Sequence, residues 1–173
     1  MKYLKLIALI FLLTGFFNWS HSEEVYFINI QQVLNNSKAG SAAQEILKKE
    51  FSAQNKKFKA ESTSLKKQET ELISQKKSLS PEEYKKKVSA LRKKNIDFQT
   101  RRRKASNDFI KKKTDARNKL VKAINPILEK YMSDNNVMMI INEKNLVLAN
   151  SKRDLTKTVT DLLNKELKSI KLN

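Results

Sequence analysis

The chain has 173 residues, with 36 Lys and Arg against 18 Asp and Glu and a formal net charge of +18. It holds one histidine and no cysteine, which excludes disulfides, thiolate nucleophiles, cysteine-bearing zinc sites and the cysteine-linked lipid of a bacterial lipoprotein. Only 2 glycines and 2 prolines, in a chain rich in Lys, Ser and Asn, suit one helical domain rather than several.

At the amino end, Lys2 and Lys5 precede an apolar run from Leu6 to Phe17 that is interrupted by Thr14 and Gly15. Ser20 and Ser22 then supply small residues at the minus-three and minus-one positions of a cleavage site. This predicts a secretory signal peptide over residues 1–22 and export of the mature chain. The run is shorter than the roughly 20 residues a spanning helix needs, which weighs against an uncleaved anchor. Trp19 and His21 leave with this segment, so the mature chain has no histidine for general acid–base work near neutrality. An enzyme is the least expected class, and no cofactor or metal is expected.

Residues 23–43 begin a small body. Val25-Tyr26-Phe27-Ile28-Asn29-Ile30 is rich in β-branched and aromatic types and predicts a strand, Gln31 to Asn36 a helical turn, and Ser37 to Ser41 the cap of a long helix. Residues 44–131 predict a helical hairpin. Its break falls at Leu79-Ser80, with Ser80 as cap, Pro81 at the first helical position, and Glu82 and Glu83 in the first turn.

The hairpin has a thin seam. Phe51, Phe58, Leu65, Leu72 and Leu79 recur every seven residues, while the alternate seam positions Gln54, Glu61, Gln68 and Gln75 are polar. On the return arm Tyr84, Leu91, Phe98 and Ala105 recur, interleaved with Val88, Asn95, Arg102, Phe109 and Ala116. Folding at Ser80 sets 79 against 84, 72 against 91, 65 against 98 and 58 against 105, each pair adding to 163. That is an antiparallel coiled coil with about one apolar layer per heptad, held mainly at its base. At 1.5 Å per residue the arm is about 55 to 60 Å long and must project from the body.

Towards the carboxyl end, Leu120, Val121, Ile124, Ile127, Leu128 and Tyr131 form a fuller apolar stripe, where the helix enters a core; Pro126 within it predicts a kink or local adjustment. Residues 132–173 return to the body. Val137 to Ile141 predicts a second strand, Leu146 to Ala149 a third, and Asp154 or Thr156 the start of a terminal helix carrying Val159, Leu162, Leu163 and Leu167. The fold class is mainly α with a small β body. Three short strands leave open edges, so Tyr26, Phe27, Ile28, Ile30, Val137, Met139, Ile141, Leu146 and Leu148 are expected at oligomer contacts.

Charge is concentrated on the arm. Residues 55–133 hold 24 Lys and Arg against 9 Asp and Glu, a net of +15, whereas the rest of the mature chain holds 10 against 9. The candidate binding residues are the clusters Lys76 and Lys77; Lys85, Lys86 and Lys87; Arg92, Lys93 and Lys94; Arg101, Arg102, Arg103 and Lys104; and Lys111, Lys112 and Lys113. A single triplet is an ordinary solvated helix face, but five clusters on one element beside a neutral remainder form a field that attracts anions.

The opening VYFINIQQVL, the long charged helical middle and the ending VMMIINEKNLVLANSKRDLTKTV resemble the Skp/OmpH family of periplasmic chaperones across the whole mature chain. The resemblance implies a homotrimer in which strands from three chains form a small barrel and three hairpins enclose a cavity. It also implies an ATP-independent role in keeping unfolded outer-membrane β-barrel proteins from aggregating. Such clients are commonly acidic, and a trimer would meet them with about +45 on its arms; Ile73, Ile96 and Ile110 could add weak apolar contacts. Other readings are contact with anionic lipid or lipopolysaccharide, and a structural envelope spacer. Physiological nucleic-acid binding is disfavoured by the signal peptide and by the lack of aromatics among the basic clusters.

Overall fold

The computed structural model describes residues 24–172, so the expected signal peptide lies outside the described residues. Strand β1, Glu24–Ile28, ends at Asn29, whose side-chain oxygen accepts from the Gln32 N–H and caps helix α1, Ile30–Asn36. The apolar run predicted strand as far as Ile30. The asparagine cap diverts it, because satisfying a free helix-start N–H favours the helix over further extension. Ser37 closes α1 and caps α2, Lys38–Ser74, its hydroxyl accepting from the Gly40 N–H at 3.1 Å. A β-carbon at Gly40 would lie 1.7 Å from the Leu34 carbonyl oxygen, so α1 and α2 meet this closely only because that position has no side chain.

At its far end α2 tightens into a short 3-10 turn, Gln75–Lys77, and the chain reverses. Helix α3, Pro81–Asp134, opens with a reciprocal cap: the Ser80 hydroxyl accepts from the Glu83 N–H, and the Glu83 carboxylate accepts from the Ser80 N–H. The hydrogen bonds from the Ser80 hydroxyl and then its N–H hold the Glu83 carboxyl below its ordinary value. The reversal therefore falls at the sequence-predicted break.

Helix α3 is 54 residues long and unbroken through Pro126, so no interruption accompanies the proline. Pro126 offers no N–H to the Lys122 carbonyl, but burial of Ile124 and Ile127 on either side outweighs that lost bond. Asn136, in the left-handed region at φ 51°, turns the chain from α3 into strand β2, Val137–Asn142. β2 lies parallel to β1, with Val25 beside Met139 and Ile28 beside Asn142. The hairpin is thus the long crossover that a parallel pair requires.

The expected third strand at Leu146–Ala149 does not form. The Asn142 side chain accepts from the Lys144 N–H and winds Glu143–Asn145 into a 3-10 turn, a local bond that competes with a hairpin ladder. The outer side of β1 is met by Asp154 and Leu155, the Leu155 N–H donating to the Phe27 carbonyl at 2.9 Å. Among the described residues no strand pairs with Leu146–Ala149, and Val147 and Leu148 stand 105% and 91% exposed. Asp154 then accepts from the Thr156 N–H at the start of helix α4, Thr156–Glu166.

One core gathers these pieces at the root of the hairpin. Ile28, Val33, Leu34, Leu120, Ile124, Ile127, Leu155, Val159 and Leu163 are buried together, with Tyr26, Ile30, Val121, Leu128 and Tyr131 partly buried against them. Phe27, Ile28 and Val137, expected at oligomer contacts, are therefore buried within this chain. Beside the core, Arg153 lies 5.1 Å from the centre of the Tyr26 ring, donates to its hydroxyl at 3.0 Å and pairs with Glu24. This ties the first strand to the segment that leads into α4.

Two consequences are testable. Gly40→Ala forces α1 and α2 apart and is expected to lower stability by about 1–3 kcal/mol in a urea titration. The Arg153 hydrogen bond, seconded by that of Tyr26, holds the Glu24 carboxyl below 4.5. A carboxyl lowered on folding adds stability above its unfolded value and loses it as the pH falls through the folded one. The chain is therefore expected to melt higher than Glu24→Gln at pH 7, the difference closing as the pH is taken below 4.5.

Candidate functional site

The two arms pack in the register read from the sequence. Leu65 and Phe98 are both buried, and Leu72 and Leu91 line one cleft between the helices. Four polar pairs cross between the arms: Lys87 to Gln75 at 3.1 Å, Lys94 to Gln68 at 2.9 Å, Arg101 to Glu61, and Lys112 to Glu50 at 3.1 Å. Each pair adds to 162, one away from the apolar layers, so the same antiparallel stagger holds along the whole arm. Phe58 departs from its expected partner. Its ring meets Phe98 edge to face at 5.9 Å, reaching towards the tip, although it still shares a cleft with Ala105. Ala105 offers a methyl group where Phe98 offers an aromatic edge, and the edge-to-face contact wins. Phe51 stacks on Phe109 at 4.9 Å.

The seam is as sparse as its sequence. Along the arm only Leu47, Leu65, Leu72, Phe98 and Ala116 are buried, against the dense cluster at the root. Phe51, Ile73, Val88, Ile96 and Ile110 remain between 40% and 61% exposed.

Almost every candidate basic residue faces solvent. Lys76 and Lys77 form the 3-10 turn at the tip, and Lys85, Lys86 and Lys87 follow in the first turns of α3. Five of the fifteen have side-chain partners: Lys87, Lys94, Arg101 and Lys112 across the seam, and Lys104 with Asp108 at 2.7 Å. The rest, from Lys76 and Arg92 to Arg103 and Lys113, make no ion pair or side-chain hydrogen bond among the described residues. Arg101 holds the Glu61 carboxyl below its ordinary value, mostly by hydrogen bonding. The surface is a long basic field with few internal counterions, suited to anionic partners at long range.

On the body, Val25, Met138 and Met139 join Val147 and Leu148 as exposed apolar side chains. Val25, Met138 and Val147 were missed in the sequence. Strand alternation would have found Val25 and Met138, since each neighbours a residue turned inwards. Met139, Ile141, Leu146 and Leu148 are all at least partly exposed, as contacts with another chain would require. Among the described residues no helix is long and apolar enough to cross a membrane, and no cluster of acidic groups could hold a metal ion.

A family model of the outer membrane protein (OmpH-like) type matches residues 24–163, which takes in both strands, the whole hairpin and most of α4. The chain belongs to the OmpH-like family. A crystal structure from Caulobacter crescentus, described as that of a candidate OmpH-like outer membrane chaperone, is similar to the OmpH-like chain with a TM-score of 0.79 and 17% identity, covering 91% of this chain and 95% of that one. At that identity the likeness speaks for the fold. No curated protein matches. The family is one of periplasmic chaperones.

The contrast between root and arm predicts a gradient of opening. Backbone amides around Leu72 and Leu91 should exchange with deuterium faster than those around Leu120 and Ile124, in a mass-spectrometric time course on the native protein. Uniform protection along α3 would mean that the seam is stronger than its apolar content.

Proposed function

We propose that this OmpH-like chain is an ATP-independent holdase that binds unfolded outer-membrane β-barrel proteins in the periplasm, as a homotrimer, after loss of residues 1–22. The observation that carries the reading is the solvated basic field on a projecting hairpin, +15 over residues 55–133 beside a nearly neutral body. Acidic clients would be drawn to it over a Debye length or more, about 8 Å at physiological salt. Half-exposed side chains such as Ile73 and Ile96 would then add contacts too weak to trap a client, so release needs no nucleotide.

Trimerisation would supply what the single chain lacks. Among the described residues the outer edge of β2 is open and no strand pairs with Leu146–Ala149, and Val147 and Leu148 are bare, an arrangement that a neighbouring copy would cover by strand addition. Three hairpins would then hang from one body around a shared basic space.

The deciding experiment is turbidity after diluting a urea-unfolded outer-membrane β-barrel protein into buffer with and without residues 23–173. Suppression at a few trimers per client is expected, weakening between about 0.05 and 0.5 M salt. An unchanged rise in turbidity with a folded protein would overturn the holdase reading in favour of a lipid-binding or spacer role.

A further inference from the structure

The two flanks of the hairpin differ. All four cross-arm polar pairs lie on one flank, where they bridge the helices with charged or amide groups. The other flank, near the tip, opens as a cleft of about 610 Å³ that none of those eight residues lines. Leu72 forms its floor, and Ile73, Val88 and Ile96, which are 61%, 40% and 57% exposed, stand along it. Arg92 and Arg103 flank the cleft, neither of them in an ion pair among the described residues, and outnumber the carboxylate of Glu69 there. Apolar surface set between free guanidinium groups suits a ligand that is apolar on one side and anionic beside it.

We infer that this distal flank docks one short extended segment of an unfolded β-barrel client, apolar side chains against Ile73, Val88 and Ile96, carboxylates against Arg92 and Arg103. The inference rests on the holdase reading and adds where on the arm a client is gripped. A membrane β-strand alternates apolar and polar residues, so in extended form it presents an apolar row to the cleft and polar groups at its edges. Charge decides against self-docking. Among the described residues Val147 and Leu148 are the barest apolar side chains, and residues 144–152 around them hold Lys144 and Lys152 and no carboxylate, so two arginines would repel this segment.

Ile110 is a control within the same helix, 60% exposed but outside the cleft. Anisotropy titrations of a dye-labelled, urea-diluted outer-membrane β-barrel protein would compare the mature chain, Ile73→Gln with Ile96→Gln, and Ile110→Gln alone. The double variant is expected to bind about tenfold more weakly, and Ile110→Gln within about twofold of the parent. Equal affinities for all three would overturn the cleft while leaving the holdase standing; no binding by the parent would remove both. A photo-crosslinker at position 96 should capture client in clear excess over one at position 110, and equal capture would likewise sink the cleft.

Discussion

What α3 buries at its far end supports everything that projects. Leu120, Ile124 and Ile127 lie among Val33, Leu34, Val159 and Leu163, so one continuous helix belongs to the body for its last turns and to the arm for the rest. A lone helix of this charge would not hold its shape in water by propensity alone. Anchorage at one end lets the distal arm survive on a seam of scattered Leu and Phe and four polar rungs, and leaves its surface free for charge.

The sparse seam and the basic field are linked. Seam positions filled by Gln68, Gln75 and Glu61 accept from Lys94, Lys87 and Arg101, which uses a few bases to join the arms and leaves the others unneutralised. Exposed pairs of this kind add little each. Their value here is to fix the stagger and to keep one flank polar, so that apolar surface is displayed on the other.

Much of this was legible in the sequence because it depends on local chemistry. The break at Ser80-Pro81-Glu82-Glu83 is set by capping, and the seam by a heptad that needs only helical geometry. The fuller stripe from Leu120 to Tyr131 marked the root. What failed to read through depends on competition or on partners. Asn29 and Asn142 divert strand-like runs with single side-chain bonds, and the Leu146–Ala149 pattern has the composition of a strand without a neighbour to pair with. The cleft between Ile73 and Ile96 was also hidden, since these residues fall off the heptad and only the packed arms show that they share a flank with Arg92.

The proportions of the hairpin give it a mechanical character. A stiff rod of about 55 Å fixed at one end is a lever, and a change of about 10° at its root would carry the tip through about 10 Å. Side chains that pack around Gly40 and Ile124 thereby govern the reach of lysines far from them. The position of the tip is set in the core of the body, by packing far from the surface that it moves.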